Sequence, residues 1–330
     1  MKVEKVTDKI INNQANTSLR VAVCSRSFSR NPILRAELLA RYQKVTFNDE
    51  GLQLKGYSLI EFLKGHDKAV TALEKVDEDI LAHLPQLKVI SKYGVGLDMI
   101  DMAAMRKYGK SLGWTGGVNR RSVSELVISF AIILLRHVPA AHREVLSGTW
   151  RQHIGGYLSG RTVGIIGCGH IGKDLVPLLE AFGCTILVND IVEYTEFYSS
   201  HNIESISVEE VLSRSDIVTL HVPLDDSTRS MINEQRLSLM KPTAILINTA
   251  RGGLIDEVAL KNMLKDKRLA AAALDVFLEE PPQDEELLQL PNFLVTPHIG
   301  GSADEAILAM GRAAINGLDD NEIPDPKIYA

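Results

Sequence analysis

Three polar residues stand just beyond short apolar stretches in the C-terminal half of the sequence. Arg251 follows AILINTA, Glu280 follows AAALDVF, and His298 follows FLVTP. Removing hydride from a secondary alcohol needs a base for the hydroxyl proton. It also needs a cation for the carboxylate and developing oxyanion, and a group that holds the base. His298 offers an imidazole, the side chain suited to proton transfer near neutral pH, and Glu280 can hold it as imidazolium and fix its tautomer. Glu279 competes for that carboxylate role. Arg251 carries a planar fork matched to a carboxylate. His83, His137, His142, His153 and His201 carry no motif and are read as structural.

A glycine pattern supplies the second half of the chemistry. Gly167-Cys168-Gly169-His170-Ile171-Gly172 reads GxGxxG, a weak signal alone. Here it follows the apolar run RTVGIIG (161–167) and opens the helical run KDLVPLLEAFG, with Asp190 closing the next strand TILVND. An acid about 20 residues on is what a dinucleotide site needs. The glycines allow a tight turn and bring backbone N–H groups, His170 and Ile171 included, to a pyrophosphate at the helix start. Asp190 can accept from both ribose hydroxyls and would repel a 2′-phosphate. No arginine follows it in Asp190-Ile191-Val192-Glu193, so NAD is expected rather than NADP.

These groups must be positioned by alternating elements. RVAVC (20–24) begins a first strand after a polar arm; LRAELLARY, YSLIEFLKG and DEDILAHLP read as helices, KAVTAL and LKVISKYG as strands. A turn-rich break at 113–122 precedes a long helix whose Ser122-x-x-Glu125 has the capping-box pattern. The apolar run LVISFAIILL (126–135) is about half what spans a bilayer, so a buried helix is expected. Beyond it, DIVTLHV (216–222), AILINTA, AAALDVF and FLVTPHI repeat as strands apolar on both faces, the mark of a covered parallel sheet. Two doubly wound α/β domains are the economical reading, and ligands of such sheets bind beyond the carboxyl ends of the strands. Trp114 and Trp150 are read as packing anchors.

Composition bounds the rest. The 330 residues suit about two domains, and 45% apolar against 24% charged residues suits a packed globule. A net charge of −6 argues against a general nucleic-acid or membrane-surface binder. Cys24, Cys168 and Cys184 form neither a disulfide framework nor a metal spacing, so no metal is expected. The arm MKVEKVTDKIINNQANTS has no apolar core of a secretory leader, and a cytoplasmic protein is expected.

Seven ordered stretches carry a resemblance: SKYGVGLDMID, NRRSVSELV, VGIIGCGHIGKDL, LHVPLDDSTRSMI, INTARGGLIDE, ALDVFLEEPP and TPHIGGS. From about residue 20 to 315 the sequence resembles the D-2-hydroxyacid dehydrogenase family, particularly its phosphoglycerate-dehydrogenase-like branch. The resemblance implies a Rossmann NAD domain and a discontinuous, flavodoxin-like substrate domain. It divides the chain into 1–116, 117–302 and a return at 303–330. Arg251 would bind and polarise substrate, Glu280, the residue directly before proline, would pair with the histidine, and His298 would be the acid/base. Asp275 would hold the nicotinamide carboxamide, with Thr249, Ala250 and Gly300 nearby, while His221, Val222, Pro223 and Thr228 would line the adenosine side. The amides of Val95 and Gly96 would bind the substrate carboxylate, with Lys92 as a further substrate cation. The helix from Ser122 would cross between domains and build a homodimer.

The resemblance implies NAD-dependent interconversion of a D-2-hydroxy acid and its 2-keto acid, a 3-phosphoglycerate-like acid being one candidate. A glyoxylate- or hydroxypyruvate-type reductase is the alternative, as is an NAD-sensing, corepressor-like binding protein. Two departures stand out. Thr115-Gly116-Gly117 replaces the usual Thr-Pro-Gly or Thr-Pro-Asn, and Thr71 stands where the phosphoglycerate branch often carries arginine. Lys75 and Lys92 are the cations left near it. The C-terminal regulatory domain of some members is not expected in these residues.

Overall fold

The computed structural model describes residues 18–326, so residues 1–17, on which the expectation about a leader rests, lie outside the described residues. The described residues form two units, one comprising 18–119 and 304–326, the other Arg120–Ala303.

The first unit is built on five parallel strands: β1 (Arg20–Val23), β2 (Lys44–Phe47), β3 (Lys68–Thr71), β4 (Val89–Lys92) and β5 (Ser111–Gly113). Their order is β2-β1-β3-β4-β5. β4 is buried along its whole length, as a strand covered on both faces must be. The C-terminal helix Asp304–Gly317 belongs to this unit because small residues let it approach. A Cβ on Gly113 would lie 2.1 Å from the Gly317 carbonyl oxygen, and Ser91 Oγ donates to the Ala314 carbonyl at 2.6 Å. Glu322 then bridges antiparallel to Leu112.

The second unit carries seven parallel strands: β6 (Thr162–Ile166), β7 (Thr185–Asn189), β8 (Glu204–Ser205), β9 (Ile217–Leu220), β10 (Ile245–Asn248), β11 (Ala271–Leu274) and β12 (Phe293–Val295). The order β12-β11-β10-β9-β6-β7-β8 reverses direction between β9 and β6, the switch point at which doubly wound sheets take ligands. Two clusters, around Leu220, Leu246 and Leu274 on one face and Ile165, Ile186 and Ala273 on the other, sandwich the sheet.

The apolar run 126–135 is helical within Arg120–Leu135 and buries Val127, Phe130, Ala131 and Leu134. Among the described residues, no single helix is long and apolar enough to cross a membrane. Two expectations need correction. The long helix already starts at Arg120, so Ser122 lies inside its first turn and does not cap it. Its hydroxyl instead donates to the Gly300 carbonyl at 2.6 Å and accepts from Ala303 N at 3.3 Å. A true capping box occurs at Ser207, whose Glu210 returns the bond. Trp150 anchors no core. It is 85% exposed, in a stretch without regular structure after the helix Val138–Leu146, which itself buries no side chain.

Candidate active site

β10, β11 and β12 are neighbours in register, Asn248 opposite Leu274 and Leu274 opposite Val295, so their carboxyl ends finish level. The three loops that follow carry Arg251, Glu280 and His298. Buried Asn248 braces the first: its Nδ2 donates to the Arg251 carbonyl at 2.8 Å and its Oδ1 accepts from Ala250 N at 3.0 Å. Arg251 Nη1 donates to the Ala250 carbonyl at 2.7 Å. Gly252 then lies against the β11 loop so closely that only glycine fits.

In the second loop, Glu280 Oε1 accepts from Phe277 N at 3.2 Å. The third loop holds His298 at φ 55°, with its N–H on the Asp275 carbonyl at 2.9 Å. His298 Nδ1 lies 3.0 Å from Glu280 Oε2 and 3.2 Å from Oε1. A carboxylate only accepts, so Nδ1 carries the proton and Nε2 keeps the lone pair in the neutral ring. Glu279 points elsewhere, lining a cavity of about 510 Å³ with Gly253 and Leu278. The choice between the two acids is thus made by geometry.

The glycine loop has the shape a pyrophosphate requires. A Cβ on Gly172 would strike the Gly167 carbonyl at 2.4 Å, and one on Gly167, at φ 99°, would strike the His221 backbone at 2.6 Å. Nothing lies within 4 Å of a Cβ on Gly169, which opens the helix His170–Ala181 without a side-chain cap. The packed glycines fold the turn and the open one leaves room for an anion at unspent helix amides. His170 is exposed at the first helical position, and Ile171 follows half-buried. Asp190 Oδ2 accepts from Cys168 N at 2.5 Å and Oδ1 from Val192 N at 2.8 Å, so the acid is fixed to the loop it serves.

Across the switch point, His221 Nε2 meets Thr219 Oγ1 at 2.9 Å, and burial pushes the ring down to about 3. His221 Nδ1 and Thr249 Oγ1 are buried with no partner among the described residues, polar atoms placed for a ligand. Val222 and Pro223 continue the loop, and Thr228 Oγ1 closes it by donating to the Pro223 carbonyl at 2.8 Å. Asp275 is buried, and its carboxylate accepts from Thr296 Oγ1, Ile299 N and Gly300 N. In the first unit, the half-buried Val95 and Gly96 follow β4, and Trp114 Nε1 donates to the Val95 carbonyl at 3.0 Å. Lys92 is a buried strand end whose ammonium donates to the Ala72 carbonyl.

Residues 128–300 match the model of the D-isomer specific 2-hydroxyacid dehydrogenase NAD-binding domain. The chain belongs to the D-2-hydroxyacid dehydrogenase family. Among its relatives, a D-3-phosphoglycerate dehydrogenase from Methanocaldococcus jannaschii is 40% identical over 77% of this chain and 49% of its own length. A glyoxylate reductase from Thermococcus litoralis is 37% identical over 79% of this chain and 82% of its own. The chain therefore spans about half the length of the phosphoglycerate dehydrogenase. The solved D-lactate dehydrogenase from Aquifex aeolicus, complexed with NAD and lactic acid, superposes with a TM-score of 0.79 at 26% identity, covering 90% of this chain and 93% of that one. NAD is the cofactor of this dehydrogenase family member, and the seven-stranded unit is its Rossmann domain.

Three positions went unread in the sequence. Thr296 precedes a proline and looks like a turn residue, Asn248 ends an apolar strand, and Gly252 is one glycine of a pair. For Asn248 the signal was available: a lone amide closing ILIN has backbone to brace.

Proposed function

We propose that the chain interconverts a D-2-hydroxy acid and its 2-keto acid. The observation that carries this reading is the His298–Glu280 pair at the carboxyl end of the sheet that also bears the glycine loop. Gly169 and the amides of His170 and Ile171 would hold the pyrophosphate, and Asp190 the ribose. Bound NAD supplies the hydride acceptor in oxidation and, reduced, the donor in the reverse direction. Arg251 holds the substrate carboxylate and polarises the reacting oxygen. Neutral His298 takes the hydroxyl proton at Nε2 while hydride leaves the carbon bearing that hydroxyl for the acceptor, so that the C–O bond becomes the carbonyl of the keto acid, and the charge gained by the ring rests against Glu280.

A small acid without phosphate fits this chain better than 3-phosphoglycerate. At the carboxyl end of the first sheet, Thr71 is fully buried and Glu74 places a carboxylate on Ala72 N at 2.6 Å. A phosphate would find no arginine at position 71, and the Glu74 carboxylate and the Lys92 ammonium stand together on the Ala72 backbone. A homodimer is supported by the exposed apolar side chains Val138, Val145, Leu146, Trp150, Ile154 and Tyr157 on one continuous stretch. The three free cysteines support a reducing, cytoplasmic setting.

NADH consumption with glyoxylate, hydroxypyruvate, pyruvate and phosphohydroxypyruvate tests the reading. Turnover of an unphosphorylated acid is expected, with a loss on the order of 10²–10⁴-fold in His298→Asn. No consumption across the panel would favour a corepressor-like binding role, and a fully active His298→Asn would overturn the mechanism.

A further inference from the structure

We propose that Thr296 is a positioning residue for proton transfer, acting through Asp275 on the turn that carries His298; the inference rests on the proposed function above. His298 has a left-handed backbone, which side chains with a Cβ rarely adopt, so the surrounding turn must hold it there. Ser122 holds the Gly300 carbonyl from outside, and most of the remaining hold comes from one buried residue. Asp275 Oδ1 accepts from Thr296 Oγ1 at 2.5 Å and from Ile299 N at 2.8 Å, Oδ2 accepts from Gly300 N at 2.7 Å, and the Asp275 carbonyl accepts from His298 N at 2.9 Å.

Four bonds thus tie residues 296–300 to one side chain and its own backbone. Three come from backbone amides, which follow the turn wherever it goes. The Thr296 hydroxyl differs, because its residue is anchored outside the turn: Thr296 N continues the β12 ladder by donating to the Leu274 carbonyl at 3.1 Å. It therefore sets the rotation of the carboxylate, aiming Oδ2 at Gly300. Gly300 is glycine for the same reason, since a Cβ there would stand 3.0 Å from that oxygen. Without the hydroxyl the carboxylate can turn, and the imidazole loses its fixed distance to Glu280. Valine matches the shape of threonine but cannot donate, whereas serine can.

The test compares wild type, Thr296→Val and Thr296→Ser. Steady-state kinetics with NADH and the best keto acid are read beside hydrogen exchange at the amides of Ile299 and Gly300. The valine variant is expected to lose roughly 10–100-fold in kcat, the scale of a misaligned reacting group. Its exchange at 299 and 300 should quicken, and serine should restore both kcat and exchange. Wild-type kcat or unchanged exchange in Thr296→Val would overturn the proposal. So would equal damage in the serine variant, or exchange quickened throughout the domain, since either marks a merely structural role. Failure of the proposed function shows separately, as a wild-type protein that turns over no acid of the panel.

Discussion

Gly252 and Phe277 touch where no side chain could pass: a Cβ on Gly252 would lie 1.8 Å from the Phe277 carbonyl oxygen. That contact joins the loop carrying Arg251 to the loop carrying Glu280, and the Glu280–His298 pair joins the second loop to the third. Three groups far apart in the chain are thus held by two local contacts above level strand ends.

Gly252→Ala should therefore harm both fold and chemistry. The loops must part to admit the methyl group, an overpacking cost of about 1–3 kcal/mol. Urea denaturation should show a lower midpoint, and kcat/KM for the keto acid should fall as Arg251 shifts. An unchanged midpoint would mean that the two loops are not locked together.

Glu280→Gln should keep the shape of the site while removing the charge that steadies the imidazolium. A drop of roughly 10²-fold in kcat is expected. Reduction, which draws its proton from the charged ring, should suffer more than oxidation. Assays in both directions check this.

All three thiols should resist alkylation in the native protein. Burial pushes Cys168 up to about 11, and burial likewise raises Cys24 and Cys184. A raised thiol holds its proton, and only the thiolate attacks. Iodoacetamide at neutral pH, followed by intact mass, should leave the folded chain unlabelled over a period that fully labels the unfolded one.

His221 should make the fold acid-sensitive. Its ring is neutral in the native protein down to about 3, whereas an unfolded histidine takes up a proton near 6.5. The unfolded state therefore binds more protons throughout that window, and stability falls as pH drops through it. One group contributes at most about 1.4 kcal/mol per pH unit. Melting of His221→Gln should fall less steeply with pH than that of wild type.

The alternating elements, the glycine loop and the reactive trio could be read from the sequence because each is a local pattern. Apolar runs of strand length end in polar residues, and GxGxxG sits between a strand and a helix. What could not be read depends on distant chain arriving in place. Ser122 has the sequence of a cap, yet its hydroxyl is claimed by Gly300 and Ala303. Asp275 was recognisable as a polar strand end, but its three donors come from residues 296–300. Trp150 looked like core because tryptophan usually is, and no short-range pattern marks one left in solvent.

His298 follows β12, which is three residues long and the outermost strand of its sheet. Fraying on warming begins at such margins, where hydrogen bonds run to one side only. Catalysis should therefore fail before the fold does: the midpoint of heat inactivation should precede the loss of circular dichroism, with bound cofactor narrowing the gap.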